Sequence, residues 1–160
     1  VSIPFPMSGT GVTCLVVEDS PMMRKAIVLA LSRVRGVKVH EAGDGIEALR
    51  QLATHRFDVI LTDINMPELD GIALVRRMSR RPELATIPVV VVSTESSENR
   101  LHELQRLGIR GYIRKAQDEG NRLELAADPS VSDQAVAADA RRGAGRSARV
   151  RLPLRGARRG

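Results

Sequence analysis

The sequence predicts an α/β fold, a parallel sheet of five strands with helices on both faces. Three observations carry this. Short apolar runs alternate along the chain with stretches whose apolar residues recur at helical spacing. The alternation gives five strands and four helices, the order expected of linked βαβ units. The run Pro88-Val-Val-Val-Val-Ser93 is apolar nearly throughout, as a strand covered on both faces must be.

Taken in order, residues 1–11 hold Pro4, Pro6, Gly9 and Gly11 and read as a flexible leader. Val12-Thr-Cys-Leu-Val-Val17 is the first strand. Ser20-Pro21 supplies an N-cap and a proline at the first helical position, and Ala26, Ile27, Ala30, Leu31 and Val34 follow at helical spacing. Gly36 stops that helix, and Val37-Lys-Val-His-Glu41 alternates like a strand. Asp44 and Glu47 have capping-box spacing, with Ile46, Leu49 and Ala53 expected on the inner face behind them. Residues 58–63 form the third strand, and Asp70-Gly71 opens a helix carrying Ile72, Val75 and Met78. After the 88–93 strand, Leu101, Leu104 and Leu107 mark a helix closed by Gly108, and Gly111-Tyr-Ile-Arg114 is the fifth strand. Residues 118–127 have a thin apolar face and read as the last helix of a folded domain spanning 12–127. Residues 128–160 are rich in Ala, Arg, Gly and Ser and read as a disordered basic tail.

The composition excludes several function classes. At 160 residues there is room for one domain and an extra segment, since domains usually run ~100–150 residues. The single cysteine, Cys14, rules out an internal disulfide framework, and its place inside a strand reads as an inert buried thiol. No run approaches the ~20 apolar residues of a membrane span, and residues 1–11 do not resemble a signal peptide, so a cytoplasmic protein without membrane contact is expected. Three aromatic residues, Phe5, Phe57 and Tyr112, are too few for a base-stacking platform. The net charge of +6 is a property of the tail: residues 141–160 hold eight arginines and no acid. Removing those eight from 25 basic residues leaves 17 against 19 acidic ones, so the body is mildly acidic.

The chemistry is concentrated at strand ends. Glu18 and Asp19 follow the first strand and Asp63 ends the third. In a parallel sheet all carboxyl ends share one edge, so neighbouring first and third strands bring these acids together at the topological switch point. Clustered carboxylates raise one another's pKa values, and a hard, oxygen-loving cation such as Mg2+ relieves this. Any one of these acids alone also reads as a loop residue or a helix cap. His40, His55 and His102 show no metal-ligand spacing with one another or with Cys14. Met22 and Met23 read as helix packing. No Gly-x-Gly-x-x-Gly follows the first strand, which leaves dinucleotide binding unsupported.

Val16-Val-Glu-Asp-Ser-Pro21, Leu61-Thr-Asp-Ile-Asn-Met-Pro-Glu-Leu-Asp-Gly71, Val92-Ser93 and Tyr112-Ile-Arg-Lys115 together resemble the receiver domain of bacterial two-component response regulators. The resemblance covers roughly residues 12–116, with 30 residues from Asp63 to Ser93 and 22 from Ser93 to Lys115. It implies the flavodoxin-like strand order 2-1-3-4-5 known for such receivers. It also implies that Asp63 takes a phosphoryl group from a sensor histidine kinase, and that Glu18, Asp19, Asp63 and the backbone carbonyl of Asn65 hold Mg2+. Lys115 would contact the phosphoryl oxygens. Ser93 would donate a hydrogen bond to them and move on phosphorylation, although Thr94, Ser96 and Ser97 compete for that hydroxyl role. Tyr112 would follow Ser93 inward, or else be a half-buried strand aromatic. The start Ser20-Pro-Met-Met-Arg24 is similar to chemotaxis-type receivers, which signal to a downstream protein target through their own surface.

Two departures from the family begin together: Ala116 stands where the family has proline after the lysine, and the last helix is poor. A changed reading frame or a degenerate C-terminus is one explanation that would cover both; a native-like C-terminus is the other reading. The Lys115–Ala116 peptide is expected to be trans, and the loop presenting Lys115 to be shifted. Two other functions fit less well. The arginine-rich tail would allow salt-dependent nucleic-acid binding regulated by the receiver. A phosphatase of the haloacid-dehalogenase type also uses a strand-end aspartate, but needs a general acid two residues on, where Asn65 stands.

Overall fold

The structure, a computed structural model, describes residues 11–94, 97–117, 123–127 and 149–152. Its elements in chain order are β1 (Val12–Val17), α1 (Pro21–Leu31), β2 (Val37–Ala42), α2 (Gly45–Thr54), β3 (Val59–Thr62), α3 (Gly71–Ser79), α4 (Pro82–Ala85), β4 (Val89–Ser93), α5 (Glu98–Arg106), β5 (Gly111–Gln117), β6 (Leu123–Ala127) and β7 (Arg149–Leu152). The first five strands are parallel and lie in the expected order 2-1-3-4-5. Cys14 pairs with Val39 on one side and Val59 on the other, so β1 is central.

A central strand faces apolar surroundings on both sides, which is why β1 is nearly all apolar. Leu15 and Val17 join Phe57, Ile60, Ile64, Leu74, Leu104 and Tyr112 in the larger core, beneath α2 to α5. Cys14 and Val16 join Ile27 and Val92 on the opposite face, beneath α1. The helix starts follow from their caps: Ser20 accepts from the Met23 amide, Asp44 from Glu47 and Asp70 from Ala73.

Several expectations need correction. Residues Leu123–Ala127 are a strand where a helix is expected over 118–127, and the remaining residues of that stretch, 118–122, lie outside the described ones. β6 pairs antiparallel with β5, matching Ala116 with Glu124. Leu123-Glu-Leu125 alternates with the strand period, and β5 would otherwise present an unpaired edge. In the tail expected to be disordered, Arg149–Leu152 forms β7 against β6; its other residues lie outside the described ones, as does the leader up to residue 10. The short α4 was not expected, although Pro82 is well placed at its first turn. On α2 the buried line is Gly45, Ala48 and Leu52; Ile46 is exposed and Leu49 packs at the margin. Met23 packs against the smaller core, whereas Met22 is exposed.

Candidate functional site

The ends of β1 and β3 meet because the backbone ties them. The Asp63 amide donates to Val17 O at 3.0 Å, and on the other side of β1 the Glu18 amide donates to Ala42 O of β2 at 3.0 Å. Beyond Asp63 the chain turns into the loop before α3, where the Gly71 amide donates to Ile64 O at 2.9 Å. A side chain at Gly71 would put its Cβ 2.0 Å from the Asp63 carbonyl oxygen, so only glycine permits this approach.

Glu18, Asp19 and Asp63 come together as the sequence leads one to expect. Each offers a carboxylate oxygen, and these oxygens lie within 4.8 Å of one another. Oxygens on one Mg2+ at ~2.1 Å stand roughly 3–4 Å apart, so a small closure suffices and the hard donor set suits such an ion. Glu18 and Asp63 are buried, while Asp19 is exposed and opens the cluster to solvent. Asp63 is aimed by its neighbours: the Ile64 amide donates to Oδ1 at 2.6 Å and the Asn65 amide to the same oxygen at 3.3 Å.

Lys115 brings a buried cation to the carboxylates. Its Nζ lies 2.5 Å from Glu18 Oε2 and 2.7 Å from Asp63 Oδ2. The expected displacement of Lys115 is therefore not found. The peptide after it is trans, as expected, but β5 continues through Ala116 to Gln117. Proline has no amide hydrogen to give a strand ladder, whereas alanine keeps it. Burial pushes the Glu18 carboxyl up from its ordinary 4.5; the hydrogen bond and charge of Lys115 oppose this, and the charge of Asp63 adds to it.

Ser93 ends β4 fully buried; of the other hydroxyls, Thr94 is exposed, Ser97 is exposed at the N-cap position of α5, and Ser96 lies outside the described residues. Tyr112 is 1% exposed, so the ring expected to move inward already lies inside the core. The site has two further members that the sequence reading did not single out. Arg24, one turn into α1, donates from Nη1 to Glu18 O at 2.6 Å and from Nε to Glu41 at 3.0 Å. Arg100 on α5 donates to Asn65 Oδ1 at 2.9 Å. Arg24 follows the N-cap Ser20 by four residues, a spacing that points a long side chain back over the β1–α1 loop.

This geometry coincides with a sequence match: residues 14–127 fit the family described as the response regulator receiver domain. The chain belongs to that family. The receiver is 39% identical over 103 residues to a gliding motility regulatory protein of Myxococcus xanthus, covering 64% of this chain and 13% of that protein. It is 34% identical over 101 residues to the chemotaxis protein CheY-3 of Vibrio cholerae, covering 63% of this chain and 78% of that one. Among solved structures, the phosphorylated cyanobacterial phytochrome response regulator RcpA superposes with a TM-score of 0.64 at 31% identity, over 68% of this chain and 84% of that one. The receiver thus spans only a small part of the Myxococcus protein and most of the chemotaxis protein. Its family is one of two-component signalling and not of classical enzymes. No helix among the described residues is long and apolar enough to cross a membrane.

Proposed function

We propose that this receiver accepts a phosphoryl group on Asp63 from the phosphohistidine of a sensor histidine kinase, and signals to a protein target through the resulting change of shape. The observation that carries this reading is the meeting of three carboxylates and Lys115 at the end of β3. Asp63 Oδ1 is held by two backbone amides, which leaves Oδ2, beside Lys115, as the attacking oxygen. Oδ2 bonds to phosphorus as the phosphorus–nitrogen bond of the donor breaks; the imidazole leaves with that electron pair and takes a proton. The product is a mixed anhydride on Asp63.

Glu18, Asp19, Asp63 and the carbonyl of Asn65 would hold Mg2+, which neutralises charge on the transferring group when bound. Lys115 exchanges its bond to Asp63 for one to a phosphoryl oxygen. Arg24 fixes the Glu18 carbonyl, and with it the peptide that leads into Asp19. Ser93 donates to a phosphoryl oxygen and passes the change along β4, where Val91 is the register partner of Tyr112.

Incubation with acetyl phosphate and Mg2+ tests this. One phosphoryl mass is expected on the chain, lost in Asp63→Asn. Full phosphorylation of the Asn variant at the same rate would remove Asp63 from the role.

A further inference from the structure

Two histidines that show no ligand spacing in the sequence become neighbours in the fold. His40 lies on the edge strand β2 and His55 is the C-cap of α2, 15 residues later. Their ring centroids are 5.2 Å apart and the planes are tilted by 59°. Two imidazole nitrogens at ~2.0–2.1 Å from one tetrahedral ion hold their ring centroids about 5 Å apart, so the ring separation is compatible with a shared ion once the nitrogens turn toward one point.

The surroundings favour ligation. Thr54 Oγ1 is 2.8 Å from His55 Nδ1 and 3.3 Å from the carbonyls of both Arg50 and Gln51. In the tautomer where Nδ1–H donates to Thr54 Oγ1, the hydroxyl proton serves those carbonyls and Nε2 carries the lone pair that a metal ion would use. A partner on the second nitrogen is how proteins fix the tautomer of a metal-ligating histidine. His40 is half-buried, and among the described residues neither of its nitrogens has a hydrogen-bond partner. The buried ring of Phe57 meets His40 edge-on, with centroids 5.2 Å apart at 87°, and limits its swing. Lys38 shares the His40 face of β2 and is exposed, which disfavours a cation bound by charge alone and selects one bound by imidazole.

We propose that His40 and His55 form a two-histidine site for a divalent transition ion of the imidazole-preferring class, with water completing the shell. The site lies outside the Asp63 cluster and is independent of the function proposed for it. It ties the edge strand to the end of α2, so the bound ion stabilises the folded chain by linkage.

Zn2+ titrated into the full chain is the probe, read by imidazole proton NMR and by thermal unfolding. The His40 and His55 signals should move together while those of His102 stay in place, and the melting temperature should rise with Zn2+. His40→Gln and His55→Gln should each weaken Zn2+ binding by about tenfold or more, and Thr54→Val by about tenfold, through loss of the Nδ1 partner. If the double variant His40→Gln, His55→Gln keeps the full Zn2+-dependent rise, the ion sits elsewhere and the proposal fails. Equal movement of the His102 signals in the unsubstituted chain would overturn it without any variant.

Discussion

Lys115 Nζ stands 2.7 Å from Asp63 Oδ2 in a site where the lysine side chain is 4% exposed. The same nitrogen serves Glu18, so one cation compensates two buried acids. Replacement by Lys115→Met should cost about 3 kcal/mol of stability in metal-free buffer at neutral pH, the cost of orphaning a buried charge. Burial already raises the Glu18 carboxyl, and Lys115 is what opposes the rise. Without it the folded-state value climbs further above the unfolded one. The folded variant then holds a proton that its unfolded chain releases, so stability is present at acid pH and lost as pH rises through the folded value. Denaturant unfolding at pH 5 and pH 7 checks this; an equal loss at both would show that the carboxylates were never left uncompensated.

Asp19 differs from its two partners in being exposed. Asp19→Asn should weaken Mg2+ binding about tenfold or more while moving metal-free stability by less than about 0.5 kcal/mol, as exposed substitutions do. The Mg2+-dependent rise in melting temperature should shrink accordingly. An unchanged Mg2+ titration would take Asp19 out of the ligand set.

Gly71→Ala should cost roughly 3 kcal/mol, because the new methyl meets a backbone carbonyl that cannot move without shifting Asp63 itself. Phosphorylation by acetyl phosphate should slow in the surviving folded fraction. A variant as stable as the parent would mean that the loop relaxes freely.

Cys14 lies fully buried in β1, and burial pushes its thiol from an ordinary 9.0 up to about 12. It should resist a disulfide reagent at pH 8 in the folded chain and react at once in denaturant. The raised value also makes stability fall as pH climbs from about 9 towards 12, where the unfolded thiol ionises first. Rapid modification of the native protein would mean that β1 opens.

The residues show why some of this was legible and some not. The β1 to β5 strands and the convergence of Glu18, Asp19 and Asp63 follow from local patterns plus one rule about parallel sheets. The inward face of α2 was misread by one position because Ile46 is apolar yet lies outside, while small Ala48 lies inside. β6 was missed because Leu and Glu suit a helix as well as a strand, and only the open edge of β5 decides between them. The pairs Lys115–Glu18 and His40–His55 join residues that no local window contains.

Lys115 lies 97 residues after Glu18 and 52 after Asp63. At a synthesis rate of ~5–20 residues per second, the ribosome adds that lysine roughly 3–10 s after the second acid. Through that interval the emerging chain holds the strands that would bury both carboxylates but not the cation that makes their burial tolerable. Until β5 is made, closing the sheet around the acid pair costs a proton or an uncompensated charge, so a truncated product ending before Lys115 should be more open to proteases than the full chain.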